Sequence, residues 1–294
     1  MNVSIIYVNY NSSNLTINSI NSVIELTKDI SYEIIVVDND SSSEEKNKLK
    51  TYCNSNNIKV IESNINLGFG RGNNLGAKYA KGEYLFFLNP DTYLINNAIS
   101  QLFNFAKEHN IQTCGANLFS ANNKPTLSYW MLMPSIKDEI SAFLCNLPLK
   151  IKYRNSHEHN FTTKPKEVAF ITGADLMIHN ELFNKLNGFD KDFFMYFEET
   201  DLQYRIKQLG HKIYNLPSAK IVHLESQTLS SQTKKLKLFF TSRKKFYLKN
   251  HSKVQFKIAN TILKFSSIMR ICAFYILQKK EKINYWKTIL NQCS

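Results

Sequence analysis

The run Glu83-Tyr84-Leu85-Phe86-Phe87-Leu88, followed at once by Asn89-Pro90-Asp91, decides how the rest of the chain is read. An uninterrupted apolar run of this length, rich in aromatics, predicts a buried strand. The next three residues place an amide and an exposed carboxylate at the strand's end. Open α/β sheets bind ligands at that edge. Hard divalent cations take oxygen donors and usually share their shell with substrate phosphates. Asp91 therefore suits a nucleotide diphosphate bridged by a metal. Asn, Pro and Asp are also common turn formers, so the site reading depends on partners elsewhere in the chain.

Those partners fall at regular intervals. Apolar runs at Val3–Tyr7, Glu33–Val37, Lys59–Glu62, Tyr84–Leu88 and Thr113–Asn117 alternate with helical patterns at Ser13–Leu26, Glu44–Cys53, Gly72–Ala80 and Asn96–His109. Alternation of this kind predicts an α/β fold with a mostly parallel sheet flanked by helices. From Leu118 to Lys166 the pattern gives way to aromatics, Pro and polar residues, which predicts an irregular insert with short helices and a possible acceptor wall. Order returns with Val168–Ile178, a helix over Thr200–Leu209, and strands at Lys212–Tyr214 and Lys220–Val222. The expected division is a domain over 1–229 and a basic helical extension over 230–294.

Charge supports that division. Residues 230–294 hold fifteen Lys and Arg against Glu281 alone, a net of +14, while the first 229 residues sum to −1. An evenly basic nucleic-acid binder would not look like this, and no nucleic-acid motif is present. The longest apolar stretch, Ile258 to Leu277, is broken by Lys264 and Arg270 and fails as a membrane span. Its Ile258, Ile262, Phe265, Met269 and Cys272 recur at helical spacing with Lys257, Lys264 and Arg270 to flank them. Such a helix suits an anionic membrane surface; the alternative is a stripe packed on the preceding domain. The five isolated cysteines and the strand-like start predict a cytoplasmic chain with reduced thiols, peripheral on the inner face of the membrane.

The strand ends carry the chemistry. The first ends in Val8-Asn9-Tyr10-Asn11 and lacks the glycines of a dinucleotide fold, which argues against a Rossmann dehydrogenase. The second ends in Asp38-Asn39-Asp40-Ser41, where Asp38 suits a base or ribose contact, or a helix cap. Asn64 to Gly76 is a glycine-rich loop opening a helix. Gly68 and its neighbours let backbone approach a ligand, the helix N-terminus favours phosphate, and Arg71 adds charge. Glu198, Glu199 and Asp201 crowd one helical first turn, more acid than the helix dipole requires, so one of them suits a general base. His223 ends a strand and suits Mn²⁺ as a further ligand.

Taken in order, Val8-Asn9-Tyr10-Asn11, Val37-Asp38-Asn39-x-Ser41, Asn66-Leu67-Gly68-Phe69-x-x-Gly72-Asn73-Asn74, Asn89-Pro90-Asp91, Gly173-Ala174-Asp175 and Glu198-Glu199-x-Asp201 resemble the family 2 inverting glycosyltransferases. The nearest look is that of rhamnosyltransferase-like members that build bacterial surface polysaccharides, and it covers about residues 1–225. The resemblance implies a GT-A fold, a nucleotide-diphosphate sugar donor, Mg²⁺ or Mn²⁺, and a glycan or lipid-linked acceptor. It puts Asn9, Asp38, Asn39, Gly68, Arg71, Asn73, Asn89 and Asp175 on the nucleotide sugar, with Asp38 at the base. It puts Asp91 and His223 on the metal, and Glu199 or Asp201 in the role of base. Two departures stand out. Asn89 replaces the first Asp of the Asp-x-Asp motif, and Glu198-Glu199 replaces the usual Glu-Asp pair. The rivals are a nucleotidyltransferase, which would need a glycine- and lysine-rich phosphate loop where Asn9-Tyr10-Asn11 stands, and a non-catalytic carbohydrate- or membrane-binding scaffold.

Overall fold

The computed structural model describes residues 1–224 and 232–293. Element by element, the chain runs β1 (Val3–Asn9), α1 (Ser13–Leu26), β2 (Tyr32–Asn39), α2 (Ser43–Ser55), β3 (Lys59–Ser63), α3 (Phe69–Ala77), β4 (Tyr84–Leu88) and β5 (Thr92–Leu94). It continues through α4 (Ala98–Glu108), β6 (Thr113–Phe119), β7 (Tyr129–Trp130), α5 (Ile136–Phe143), α6 (Leu147–Lys152), β8 (Lys166–Val168), β9 (Phe170–Ile171) and β10 (Asp175–His179). Then come α7 (Asn180–Lys185), α8 (Glu198–Gln208), β11 (Ile213–His223), α9 (Gln232–Asn250), α10 (Lys253–Ile276) and α11 (Lys280–Gln292).

The described residues form two compact units, one of 1–131 and 156–224, the other of 132–155 and 232–293. The boundary expected at 229/230 lies outside the described residues. The middle of the expected insert, including α5 and α6, belongs to the second unit.

In the first unit the main sheet runs in the order β3-β2-β1-β4-β10-β6-β11-β5, with β8 alongside β11, and β7 pairs with β9 in a second, two-stranded sheet. The β3-β2-β1-β4 half is parallel, as are β6 and β11. β10 enters antiparallel between β4 and β6, so the sheet is mixed at that point. Side chains alternate between two apolar layers. Ile5, Tyr7, Phe86 and Leu88 face α1, α2 and α4; Ile6, Leu85 and Phe87 face α3, α7 and α8. Lys212–Tyr214 and Lys220–Val222 prove to be parts of one strand, β11, with a register shift between Leu216 and Lys220 around Pro217. A proline cannot donate to the ladder, which is why the run reads as two pieces.

The second unit is helical. Arg243 donates to Glu139 Oε1 from Nη2 at 2.6 Å and from Nε at 3.2 Å, and Tyr247 adds its hydroxyl to the same oxygen at 3.3 Å. α10 begins with a capping box between Ser252 and Gln255.

Candidate active site

β1, β2 and β4 deliver Asn9, Asp38, Asn39 and Asn89 to one edge of the sheet, where the strand order turns back on itself. Asn9 is a buried junction. Its amide donates to Asp38 Oδ2 at 3.2 Å and Ser41 Oγ at 3.1 Å, and its Oδ1 accepts from Ser12 at 3.1 Å and Thr16 at 2.8 Å. Asp38 is buried as well, accepts from the Ser41 amide at 3.2 Å, and has Lys46 Nζ at 3.7 Å. The capping alternative for Asp38 fails, because Ser42 caps α2. Asp38 instead closes a turn onto Ser41.

The glycine-rich segment is held by protein groups to a degree the sequence does not suggest. Asn39 accepts from the Leu67 amide at 2.8 Å and donates to Asn66 Oδ1 at 3.1 Å, fixing the loop's path. Arg71 Nε donates to Leu67 O at 2.7 Å, and Asn73 donates to Phe69 O at 3.1 Å. Gly68 has φ +78°, and a Cβ there would collide with the Phe194 carbonyl oxygen. The Phe69 amide donates to that same carbonyl at 3.0 Å. Phe194 therefore occupies the start of α3, where the sequence reading expected phosphate. Gly72 and Gly76 let α3 lie close on β1, since a Cβ on either would press into Val8 or Ile6.

The metal candidates do converge. β5 leaves the Asn89-Pro90-Asp91 turn and pairs antiparallel with the end of β11, setting His223 opposite Thr92. His223 Nε2 then lies 3.3 Å from Asp91 Oδ1 and 3.5 Å from Asn89 Nδ2. Asp91, expected to be exposed, is buried, and its carbonyl accepts from Leu224. Among the described residues no group of three or more His, Cys, Asp or Glu is arranged to hold an ion. A carboxylate beside an imidazole still fits Mg²⁺ or Mn²⁺ of the kind that completes its shell with substrate phosphate and water. Asp175 is fully buried; burial pushes its carboxyl up to about 7, against hydrogen bonds from the Ala116 amide and Thr172 hydroxyl and the nearby charge of His223. Both its oxygens are thus engaged by the protein.

The acids at the start of α8 have three different environments. Tyr196 and Phe197 enter the helix with φ of +67° and +66°, strained conformations for bulky residues that fix the direction of the first turn. Glu198 is 3% exposed and lies against Gly70, and its Oε2 has no hydrogen-bond partner among the described residues. Burial raises its pKa well above the usual range, and the charge of Glu199 adds to the shift. Glu199 is half-buried beside Gly173 and accepts from Thr200 Oγ1 at 3.2 Å; burial raises its pKa as well. Asp201 is fully buried and pairs with Arg205 Nε at 2.9 Å. Arg205 in turn donates to Leu186 O at 2.7 Å and Gly188 O at 2.8 Å.

Glu199 and the Asp91–His223 pair share a neighbourhood. The Asn89 amide donates to Ala174 O at 3.0 Å, and Gly173, the residue before it, touches Glu199. Sequence reasoning quoted Ser41 without a role and missed the Ser12 and Thr16 hydroxyls around Asn9. It also missed Gln203, whose side-chain amide holds Ile171 at both N and O, each at 2.8 Å. Hydroxyls and amides of this kind carry no periodic signal.

Three comparisons bear on this arrangement. A family model described as "Glycosyl transferase family 2" matches residues 4–186. The chain is 26% identical over 207 residues to the rhamnosyltransferase WbbL of Escherichia coli K12, covering 65% of this chain and 72% of that protein. It is 31% identical over 121 residues to the UDP-Glc:alpha-D-GlcNAc-diphosphoundecaprenol beta-1,3-glucosyltransferase WfgD of Escherichia coli, covering 41% and 47%. Among solved structures, GalNAc-T7 with UDP, GalNAc and Mn²⁺ superposes with a TM-score of 0.66 at 17% identity, over 90% of this chain and 51% of that one. The chain thus spans about half of that enzyme. The likeness establishes the GT-A type fold.

Proposed function

The chain belongs to glycosyl transferase family 2, and from that premise we propose that it moves a sugar from a nucleotide-diphosphate donor to an acceptor hydroxyl with inversion. The observation that carries this reading is the half-buried Glu199 at the site edge, backed by Gly173 and joined through Ala174 and Asn89 to Asp91 and His223. A general base works best with a pKa near the working pH, and burial moves Glu199 in that direction. The acceptor oxygen bonds to the anomeric carbon, the bond from that carbon to the diphosphate oxygen breaks, and the hydroxyl proton passes to Glu199. One displacement inverts the centre, and no covalent nucleophile is needed.

Asp91 and His223 would hold Mg²⁺ or Mn²⁺, whose charge offsets that developing on the leaving diphosphate. Asp38 lies at the far end of the same edge, joined to Asn9, and sets the polarity of the base and ribose end of the donor site. Asp201 is committed to Arg205 and does not serve as the base. The acceptor is a glycan or a lipid-linked glycan at the inner face of the cytoplasmic membrane. The name of the WfgD relative, which specifies a diphosphoundecaprenol-linked sugar, supports the lipid-linked form.

The test is to incubate the protein with a panel of nucleotide sugars and acceptors. Nucleoside diphosphate release and the anomeric configuration of the product by NMR are the readouts. Inverted product that depends on Glu199 is expected. A retained configuration, or an active Glu199→Gln protein, would refute the assignment.

A further inference from the structure

Helix α10 carries a long apolar stripe that is left exposed. The residues it buries outright are Ala259, Ser266 and Ser267, with Phe256, Leu263, Ile271 and Phe274 half-buried. Arg270, expected on the outside, turns inward, donating to Ala142 O at 2.7 Å with its guanidinium 4.7 Å from the Trp286 ring centre. A second set of apolar residues goes outward. Val254, Ile258, Phe265, Met269 and Ile276 repeat at steps of four and seven, which places them on one stripe along the helix. Their exposure runs from 43% at Ile258 to 80% at Ile276.

Lys253, Lys257 and Lys264 each directly precede a stripe residue, so they form a parallel row on one flank, all exposed. The helix contains no Asp or Glu. No described helix is long and apolar enough to cross a membrane. An exposed apolar stripe of this extent marks an interaction surface, and its charge selects the partner. A second copy of the chain would bring the same +14 of residues 230–294 to the contact. A bilayer carrying anionic headgroups would neutralise it.

We propose that α10 docks flat on an anionic lipid bilayer, with the stripe from Val254 to Ile276 at the acyl boundary and Lys253, Lys257 and Lys264 among the headgroup phosphates. Docking is a property of the second unit and stands apart from the transfer reaction, because its readout is binding alone.

The experiment uses the full chain and co-sedimentation with phosphatidylcholine vesicles, with and without phosphatidylglycerol. Binding to the anionic vesicles is expected, weakening as salt rises. Lys253→Gln, Lys257→Gln and Lys264→Gln together should lower it about a hundredfold, roughly fivefold per lysine. Ile258→Ser with Met269→Ser should lower it without changing the thermal transition, since both side chains are exposed. An Ile276→Trp protein should show blue-shifted emission and quenching by brominated lipid. Equal binding to neutral and anionic vesicles would overturn the proposal, as would unchanged binding by the triple lysine variant. A concentration-dependent dimer that Ile258→Ser and Met269→Ser abolish, with no vesicle binding, would assign the stripe to a second copy instead.

Discussion

Replacing Asp201 by Asn separates the two candidate bases through their different structural commitments. Asp201 is fully buried and holds Arg205 Nε at 2.9 Å, while Arg205 spans to the carbonyls of Leu186 and Gly188. The pair therefore ties the first turn of α8 to the turn that follows α7. Removing one partner of a fully buried ion pair costs about 3–5 kcal/mol. The Arg205 side chain is 22% exposed and an asparagine keeps one acceptor oxygen, so about 2 kcal/mol is the better figure here. At about 2–4 °C per kcal/mol the melting transition should fall by about 4–8 °C. Initial rates of nucleoside diphosphate release, measured well below that transition and normalised to folded protein, should stay within a few-fold of the parent. Glu199→Gln should do the reverse, keeping or raising the melting temperature and costing at least about 10²-fold in turnover, as for a lost general base. An Asp201→Asn protein that melts like the parent but loses turnover to that degree would make Asp201 the base. It would also give the Arg205 pair a catalytic meaning that its geometry does not suggest.

Asp91→Asn should abolish metal-stimulated transfer while leaving Tm within a few degrees, because the backbone bond from Leu224 to the Asp91 carbonyl survives the change; near-full activity at limiting Mn²⁺ would take the residue out of the metal site. Glu198→Gln should stabilise the protein in a pH-dependent way. The folded pKa of Glu198 is raised, so its favourable contribution is complete below the ordinary glutamate value of about 4 and is lost as pH rises through the folded value. The Tm advantage of the glutamine variant should therefore grow from acid to neutral pH, and a constant offset would contradict a buried carboxylate whose Oε2 has no partner among the described residues. Gly68→Ala should lower stability by about 1–3 kcal/mol through positive φ and collision with Phe194, checked by urea denaturation; a neutral result would place Phe194 elsewhere.

What was legible in the sequence follows from what periodicity can encode. The β4 run announced itself because its residues are apolar on both faces, and helices cover both sides of it. Asn9, Asp38, Asp91 and His223 were legible as strand-end residues for the same reason. The partners of Asn39 and Gly68 were not, because one holds Leu67 across a loop and the other meets Phe194 from a distant segment. Neither contact leaves a pattern in the residues beside it. The antiparallel entry of β10 was equally hidden, since a buried strand reads alike in both directions.

Helix α10 shows the limit most sharply. Its spacing marks an apolar stripe and a polar remainder, which fixes the contrast between two faces and nothing more. Which face turns inward depends on what the neighbouring helices leave open. Here they leave room for Ala259, Ser266, Ser267 and the inturned Arg270. Spacing alone would send Arg270 outward beside Lys257 and Lys264; its hydrogen bond to Ala142 does the opposite. A stripe of Ile, Phe and Met that its own unit covers only in part, through Phe143 against Phe265, is stable only if something else covers it or if the loss is small beside the rest of the fold. With three lysines in register and no acid on the helix, the proposed lipid surface would satisfy both the apolar and the charged rows at once.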